Sequence, residues 1–447
     1  MRKPIVTIAT MLIAVSACAP GSNNPKPEQK PPSAVETDIA KAGPVTLTVW
    51  DQEVLGGQNE QMQKLNAAFH AKYPNVTIKR VSRSFSDLEK TLRLALSGDN
   101  PPDVVEANQG YGIMAALVKA GALTPLDAYD KVYGFRNRFP AGVSQLNSVT
   151  SDGKTIGSGS LYGVSMTGEA VGIYYNTDKL AKLGLQPPTS FSQFEQDLAL
   201  AKSKGETPIY FANLEKFPAI HELGVLLGQT SDKGTLRNLV FGQGGAWTDP
   251  PVVQAAQKLA GWAKNGYLPR TANAGKYNDS PSAFAKGDGV FLIGGPWFAA
   301  DLQKKMGDKV RFMLPPPPQA GQAQPSTLGG PGLPLAITAK SKHPDVAAAY
   351  LNFMTSPQAM DVVVQTGGLP SAKPASATPS SPVGRDVFEA YRTASDKDLL
   401  VPYLDYSTTT FLDTLGGALQ EIIAGRKTPQ QGMAIAQRDY SDFLAKK

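Results

Sequence analysis

The sequence predicts an α/β protein with a parallel-type sheet in each of two lobes. Short β-branched runs alternate with segments of helical periodicity over most of the chain, and this alternation is typical of βαβ units. The chain has 447 residues, which at about 150 residues per domain corresponds to two or three domains or to two large lobes. Hydrophobic residues make up 41% of it, enough to form a packed core and to exclude wholesale disorder.

The first third of the globular chain alternates strands with helices. The opening run VTLTVW has β-branched residues at alternate positions, which indicates a strand, and the helix that follows carries apolar residues at helical spacing until Pro74 stops it. The predicted strands cover 45–50, 75–81 and 101–108, and the predicted helices cover 58–73 and 86–97.

The remainder continues with the same kinds of signal. A strand-rich segment covers 163–180, a helix end, buried strand, glycine turn and helix follow one another over 282–305, and a strand at 309–317 leads into a Pro-rich loop. Helices are predicted at 191–204, 217–229, 250–264, 343–356, 357–366, 411–424 and 430–444.

Composition excludes several kinds of function. One Cys allows neither an intramolecular disulfide nor a thiolate metal cluster, and the three His are too far apart in the chain to read as a zinc site. The 44 Lys and Arg are interspersed with 38 Asp and Glu, so no basic patch for a phosphate backbone is expected despite the net charge of +6. We therefore expect no metal, no cofactor and no nucleic-acid partner.

The N-terminus predicts export. Residues 1–17 combine Arg2 and Lys3 with an apolar stretch that is too short to span a bilayer but typical of a secretory signal peptide. The sequence V-S-A-C at 15–18 resembles the bacterial lipobox, in which the Cys is acylated; the alternative is an ordinary secreted protein with a stray Cys. We expect Cys18 to carry a membrane anchor on the periplasmic or extracellular side. The Pro-rich segment up to residue 44 has no aromatic residue and is predicted to be a solvated tether.

Six segments in order resemble the extracellular solute-binding proteins of carbohydrate ABC importers, the family that includes maltodextrin-binding proteins. They are VTLTVWDQE, FHAKYPNVTIKRV, PPDVVEAN, LYGVSMTGEAVGIYYNTDKLAKLGL, FAKGDGVFLIGGPW, and SKHPDVAAAYLNFMTSPQAM leading to GGLPSAKPA. The resemblance covers about residues 45–447. Each segment alone is weak, but six in the correct order behind a lipobox form a specific pattern.

The resemblance implies the two-lobed periplasmic-binding-protein fold, with mainly parallel sheets, hinge strands between the lobes and the ligand in the cleft. Lobe 1 would comprise 45–168 plus 331–371, and lobe 2 would comprise 169–330 plus 372–447. The implied function is capture of a sugar or oligosaccharide by a monomer, which closes around its ligand and docks on a membrane permease.

A sugar presents hydroxyl groups and two weakly apolar faces, so its site needs flat aromatic rings beside carboxylates or amides. The resemblance places Trp297, in GGPW, where the family stacks an aromatic ring on the sugar; the alternative is a core Trp that caps the lobe 2 sheet. Glu169 aligns with a ligand-binding carboxylate, and its small neighbours Gly168 and Ala170 leave room for a ligand. Its alternative is an ordinary, partly exposed hinge residue.

The ends of two predicted strands supply further candidates. Trp50 ends the first strand either at the cleft edge or in the core, and the resemblance implies polar contacts from Gln52 and Glu53 in the following loop. Asn108 and Gln109 end the strand PDVVEA, and ligands of α/β sheets gather outside the carboxyl ends of strands.

The last candidates lie in the second half of the chain. Trp247 follows a glycine turn and is expected either at the cleft or on the surface of lobe 2. Gly329 and Gly330 in the second crossover let the backbone approach a ligand or flex. The resemblance places Tyr403 and Tyr406 in a loop that often contributes an aromatic contact, with lobe packing as the alternative.

Two other functions remain open at this point. The same fold could bind glycerol phosphate or another small polar solute, and Ala107 stands where maltodextrin-binding proteins carry an aromatic residue, which puts a long glucan in doubt. A secreted glycoside hydrolase would need two carboxyl groups about 5–9 Å apart. Asp51, Asp103, Glu106 and Glu169 supply carboxyl groups, but no hydrolase signature is present and no enzymatic activity is expected.

Overall fold

The computed structural model describes residues 30–139 and 145–447, so the predicted signal peptide and Cys18 lie outside the described residues. In chain order the strands are β1 (Val45–Asp51), β2 (Val76–Ser82), β3 (Val104–Glu106), β4 (Ser148–Val149), β5 (Ser160–Leu161), β6 (Val164–Ser165), β7 (Gly168–Ala170), β8 (Gly172–Asn176), β9 (Ile209–Tyr210), β10 (Phe291–Gly294), β11 (Val310–Met313), β12 (Thr327–Pro331), β13 (Pro334–Ile337) and β14 (Leu400–Val401).

The α-helices alternate with these strands and then follow them at the C-terminal end. They are α1 (Gly56–Lys72), α2 (Phe85–Ser97), α3 (Met114–Lys119), α4 (Asp127–Tyr133), α5 (Thr177–Leu183), α6 (Phe191–Ser203), α7 (Pro218–Thr230), α8 (Lys233–Phe241), α9 (Pro250–Lys264), α10 (Ser280–Ala285), α11 (Ala299–Met306), α12 (Pro344–Met354), α13 (Pro357–Gln365), α14 (Pro382–Asp396), α15 (Phe411–Ile423) and α16 (Pro429–Leu444).

The first sheet has the strand order β2–β1–β3–β13–β6. β1 runs parallel to β2 and to β3, as the alternation of strands and helices predicts. β13 pairs antiparallel with both β3 and β6, so the sheet is mixed rather than mainly parallel. A parallel pairing needs a crossover connection, whereas β13 enters this sheet directly from β12 without an intervening helix.

The second sheet has the order β11–β8–β10–β9 and differs further from the prediction. β9 and β10 are parallel, but β8 is antiparallel to both of its neighbours, β10 and β11. β8 follows β7 after a single residue, Val171, and therefore enters with the opposite direction to strands that arrive through a helix. Two of the three pairings in this sheet are antiparallel.

A third, smaller sheet, β14–β12–β7, lies where the chain passes from one large sheet to the other. β7 connects β6 of the first sheet to β8 of the second, and β12 precedes β13 of the first sheet. β7 and β12 pair antiparallel, with Gly330 opposite Glu169 and Gly329 opposite Ala170. The two crossing segments are thus held side by side.

The helices predicted from periodicity are present. In α2 the leucines Leu88, Leu92 and Leu96 are buried on one face, and the Ser84 side chain caps the helix by accepting a hydrogen bond from the Asp87 amide. The helices α3, α4, α5, α8 and α14 were not predicted, although α14 begins with Ser381 as N-cap and a proline in its first turn. Within residues 30–139 and 145–447, no helix has the length and apolar character to cross a membrane.

Residues 30–44 form an arm that packs on the first lobe instead of the predicted solvated tether. Lys30 Nζ lies 2.7 Å from an Asp345 carboxylate oxygen at the start of α12, and the Glu36 amide donates to the same carboxylate at 3.2 Å. Ile39, in a 3₁₀ turn, is only 2% exposed and joins the core of the first sheet. The Asn75 side-chain amide also donates to the Ile39 and Gly43 carbonyls, at 2.9 and 2.8 Å. Tertiary contacts thus order a segment whose composition predicted disorder.

Candidate ligand-binding cleft

A cavity with an empty volume of about 740 Å³ lies where elements of the two large sheets meet. The loop after β1, the start of α2 and the end of β3 form one wall; α7, the turn before α10 and the turn after β10 form the other. β7 and the loop before α15 close the cavity between these walls. The aromatic lining residues are Phe85, Phe217, Tyr277, Trp297, Tyr403 and Tyr406.

Trp297 lies on the cavity wall in the short turn after β10. Its ring folds back over Gly295, where a Cβ atom would lie 2.2 Å from the indole, so only glycine fits beneath the ring. Its Nε1 donates a hydrogen bond of 2.8 Å to the Tyr277 hydroxyl. The side chain is partly exposed and also lines a smaller recess beside Ala300 and Gly367. An indole that is fixed on one edge and open on the other side has the geometry of a stacking platform.

Four rings surround His221 at the back of the cavity. The centroids of Phe217, Tyr277, Trp297 and Tyr403 lie 5.9, 6.0, 5.5 and 5.8 Å from the imidazole centroid. Burial lowers the pKa of His221 to about 3, so the ring is neutral at physiological pH. Its Nδ1 is buried without a hydrogen-bond partner. This end of the cavity is therefore aromatic and uncharged.

Glu169 faces the same space from β7. One carboxylate oxygen accepts a hydrogen bond of 2.8 Å from the Tyr403 hydroxyl. Burial raises the pKa of Glu169 to about 8, and burial also raises the pKa of Asp405 on the neighbouring loop to about 7. Neither carboxyl group forms a described salt bridge, and none of the described residues lining the cavity is Lys or Arg.

Asn108 and Gln109 follow β3 but have different surroundings. The Tyr406 hydroxyl lies 3.1 Å from Asn108 Oδ1 and 2.9 Å from Gln109 Oε1. Asn108 lines the cavity. Gln109 is 2% exposed, and its amide donates to the Gly332 carbonyl at 3.0 Å and to Asn147 at 3.1 Å. Gln109 therefore braces the crossing segment and borders only a second groove next to this cavity, with a larger empty volume of about 1190 Å³.

The comparisons with known proteins agree with this architecture. The sequence profile of bacterial extracellular solute-binding proteins matches residues 64–387. The chain belongs to this family.

Among curated relatives, this solute-binding protein is 24% identical to the multiple sugar-binding protein of Streptococcus mutans over 337 residues, covering 74% of the chain and 76% of the relative. It is 23% identical to the melibiose/raffinose/stachyose-binding protein MelE of Bacillus subtilis over 434 residues, covering 92% of each. A solved chitin oligosaccharide binding protein superposes with a TM-score of 0.77 at 22% identity, covering 90% of this chain and 99% of that one. The two-lobed α/β fold is thereby confirmed.

The cleft of the solute-binding protein contains six of the predicted site residues. Gln52, Asn108, Glu169, Trp297, Tyr403 and Tyr406 all line the cavity. Their contact with a ligand stays a prediction, but their convergence from five separate parts of the chain is a finding of the structure.

Besides Gln109, Gly329 and Gly330, three predicted positions do not line the cavity. Trp50 is partly buried and packs under Arg83, whose guanidinium lies 4.5 Å from the ring centroid. Glu53 is 3% exposed and points into the first lobe toward Glu106. Trp247 is fully buried, 4.7 Å from the Phe411 ring, and so lies neither at the cleft nor on a surface. The glycine turn before Trp247 folds the indole inward, where α15 and α16 cover it.

The glycines of the second crossover have a packing role. A Cβ at Gly329 would lie 2.3 Å from the Glu169 carbonyl oxygen, so this glycine lets β12 approach β7. Gly330 has a φ of +145°, which side chains rarely adopt. Neither glycine lines the cavity, so the predicted close approach is to the neighbouring strand rather than to a ligand.

Eleven further residues of the cavity wall were not predicted from the sequence, among them His221, Tyr277, Phe85, Phe217 and Asp405. Asp405 carried a usable signal, because it lies between two tyrosines that were already candidates. His221 and Tyr277 carried none: one is a lone His in an apolar helix and the other a Tyr in a polar segment, and only the tertiary fold brings them together.

Proposed function

We propose that this protein captures a sugar or oligosaccharide in the cleft and delivers it to the permease of an ABC importer. The observation that carries the proposal is the lining itself, which combines open aromatic faces with amide and carboxyl groups and contains no Lys or Arg among its described residues. Such a lining suits the apolar faces and hydroxyl groups of a sugar ring. The names of the relatives, a multiple sugar-binding protein and a melibiose/raffinose/stachyose-binding protein, support it.

Within the cleft, Trp297 would stack on one sugar face, with Tyr277 holding its indole in place. Glu169, Asn108 and Gln52 would bind hydroxyl groups. A protonated carboxyl group both donates and accepts hydrogen bonds. The raised pKa of Glu169 therefore lets this residue match either end of a sugar hydroxyl near neutral pH.

A phosphate monoester such as glycerol phosphate fits this cleft less well. A phosphate is ordinarily bound by Arg, Lys or a helix N-terminus, because these groups supply positive charge or free amide donors. The cleft instead presents Glu169 and Asp405, which would repel an anion once they ionise. An uncharged ligand avoids this repulsion.

Two crossing segments, β7 and β12, would serve as the hinge between lobe 1 (45–168 plus 331–371) and lobe 2 (169–330 plus 372–447). Closure about such segments buries the ligand and creates the surface that a permease recognises. For anchoring, we propose acylation of Cys18 after export. A Cys18→Ala variant that still sediments with membranes after a high-salt wash would contradict this anchoring.

The test is a thermal-shift screen with raffinose, stachyose, diacetylchitobiose, maltotriose and galactose, followed by calorimetric titration of each sugar that binds. A sugar present at about a hundred times its Kd stabilises the native state by about 2.7 kcal/mol. Glycerol 3-phosphate is the control for anion binding, and product analysis of the same mixtures reports any hydrolysis. Stabilisation by glycerol phosphate alone, or release of shorter sugars, would contradict the proposal.

A further inference from the structure

The loop that follows β1 reaches the cleft from a buried polar cluster. Gln52, Val54 and Leu55 line the cavity, while the residues on either side of Gln52 point into the first lobe. Asp51, Glu53 and Glu106 are 0%, 3% and 1% exposed. The buried carboxyl groups of Asp51, Glu53 and Glu106 therefore lie close to the loop residues that line the cavity.

One of the three carboxyl groups is paired with arginine. Arg80, on β2, binds Asp51 through two hydrogen bonds, of 2.6 Å from Nε and 2.8 Å from Nη2. The same guanidinium donates to the Glu53 carbonyl at 2.7 Å and to Asn59 Oδ1 at 2.6 Å. Arg80 therefore neutralises Asp51 and fixes the loop backbone, but no second cation is described next to Glu53 or Glu106.

Glu53 and Glu106 form a carboxyl pair. Glu106 Oε2 accepts a hydrogen bond of 2.7 Å from the backbone amide of Gln52, and Glu106 Oε1 is buried without a partner. Glu53 Oε2 is likewise buried and unpartnered, and the two carboxyl groups are within hydrogen-bonding reach. A single proton held between the two carboxyl groups supplies a hydrogen bond to a pair that otherwise has only acceptor oxygens, and it removes one buried negative charge.

We propose that Glu53 and Glu106 are positioning residues, and that a proton shared by their carboxyl groups holds loop 52–55 in its cleft-facing position. The shared proton ties Glu53, inside the loop, to the end of β3, while the Glu106 carboxyl also binds the Gln52 amide. Loss of the proton places two negative charges side by side in a buried site, and their repulsion pushes the loop away from β3.

The direction of the pH effect follows from the raised pKa values. Burial, and then the charge of Asp51, raise the pKa of Glu53 to about 7; burial and the charges of Glu53 and Asp51 raise that of Glu106 well above its usual range. Arg80 opposes these shifts for Glu53. The other titratable groups that sense this cluster are Glu169 and Tyr350. Below the pKa of Glu53 both carboxyl groups are protonated, and above it the pair keeps one shared proton until the pH passes the higher pKa of Glu106. The ordered loop is therefore favoured at low and neutral pH and is lost only at alkaline pH.

The loop amides give a direct test that needs no ligand. Hydrogen exchange of the segment 52–55 is measured at a series of pH values from about 7 to about 10 by mass spectrometry and corrected for intrinsic rates, in the wild type, Glu106→Gln and Glu53→Gln. The side-chain amide of a glutamine donates a hydrogen bond at every pH, and it therefore replaces the donor that the shared proton provides. We expect protection of this segment to fall about tenfold in the wild type, the change that one pKa unit produces, and to stay constant in the glutamine variants.

Glu60→Gln is the matched control, because Glu60 is an exposed residue of the adjacent helix α1 that pairs with Lys64. It should reproduce the wild-type fall. Unchanged wild-type protection at the alkaline end of the series, or an equal fall in both glutamine variants, would overturn the proposal. Two glutamine variants are used so that failure of one to fold leaves the other informative. The exchange result does not depend on sugar binding, so this proposal and the proposed function can fail separately.

Discussion

Trp297 and Trp247 carry the same indole ring in opposite environments. Trp297 is partly exposed on the cleft wall and is held by one hydrogen bond to Tyr277. Trp247 is fully buried against Phe411 and Tyr440. The two residues therefore separate the contribution of an aromatic ring to binding from its contribution to folding, within one protein and with one substitution chemistry.

Trp297→Ala should weaken sugar binding by roughly ten- to a hundredfold in Kd, about 1.4–2.8 kcal/mol, because the ring face is lost. The free energy of unfolding of the unliganded protein should change much less. Trp247→Ala is the matched control and should lower that free energy by about 3–5 kcal/mol, the range for truncating a core Trp. Calorimetric titration and denaturant unfolding measure both effects. A large stability loss in Trp297→Ala with intact affinity would make Trp297 a core residue.

The Glu169 carboxyl should make stability pH-dependent. Its pKa rises from an ordinary value of 4.5 to about 8 on folding, so between these values the native state binds more protons than the unfolded state. The contribution of this group to stability is therefore full below pH 4.5 and declines as pH rises toward 8. Glu169→Gln keeps an acceptor for Tyr403 and should flatten this decline. The test is the difference in thermal midpoint between wild type and variant across this pH range; parallel curves would contradict the assignment.

At this scale the sequence could indicate residues at strand ends and in family motifs. Gln52, Asn108, Glu169 and Trp297 were found in this way, and all line the cavity. The sequence does not show which side chains of a loop face the cleft and which face the core. Glu53 was therefore predicted as a site residue together with Gln52, although Gln52 lines the cavity and Glu53 is buried in the first lobe.

Among the elements, β12 shows how closely the crossing strands pack. Its approach to β7 depends on Gly329, because a Cβ there would lie 2.3 Å from the Glu169 carbonyl oxygen. The backbone on the other side is itself fixed by strand pairing, so it cannot yield as a flexible side chain would. Substitution at this position should therefore act on the crossing segments as a unit.

Gly329→Ala should lower the free energy of unfolding by about 1–3 kcal/mol, the usual result of overpacking a tight site. Gly261→Ala is the control, because Gly261 lies within α9 and a methyl group added there would have no atom within 4 Å apart from the neighbouring backbone of its own helix. There alanine should stabilise the protein by about 0.5–1 kcal/mol, since it favours helix. Urea unfolding measures both. Equal effects of the two substitutions would show that the contact with Glu169 is not tight.

Strand existence was easier to predict than strand direction. The buried runs of β1, β8 and β10 were evident from their apolar and β-branched residues. The reversed direction of β8 was not, because it depends on a one-residue link from β7 rather than on a local pattern. Alternation with helices predicts parallel strands only where a helix makes the connection.

For the whole molecule, the cleft between the walls predicts closure on binding. A sugar identified by the screen should reduce the radius of gyration in small-angle scattering, because the lobes rotate toward each other about β7 and β12. Trp297→Ala at the same sugar concentration should show a smaller reduction. An unchanged radius at saturating sugar would count against hinge closure.

The overall architecture was predictable because six motifs in fixed order specify it. The N-terminal arm was not, since Pro-rich composition predicts disorder and gives no weight to one well-placed apolar residue. The arm is held by tertiary contacts: burial of Ile39, the ion pair between Lys30 and Asp345, and hydrogen bonds from Asn75 to the arm backbone.

If Cys18 carries a membrane anchor, the docked arm of residues 30–44 limits how far the globular body can lie from the membrane. Twelve residue steps separate Cys18 from Lys30, and even fully extended they span at most about 43 Å. A globular body of this length has a radius of gyration of roughly 22 Å, hence a diameter above about 50 Å. The segment from Cys18 to Lys30 is therefore shorter than the diameter of the globular body, and it joins the body at the first lobe only. The first lobe would therefore be held near the membrane, while the second lobe would be freer to move.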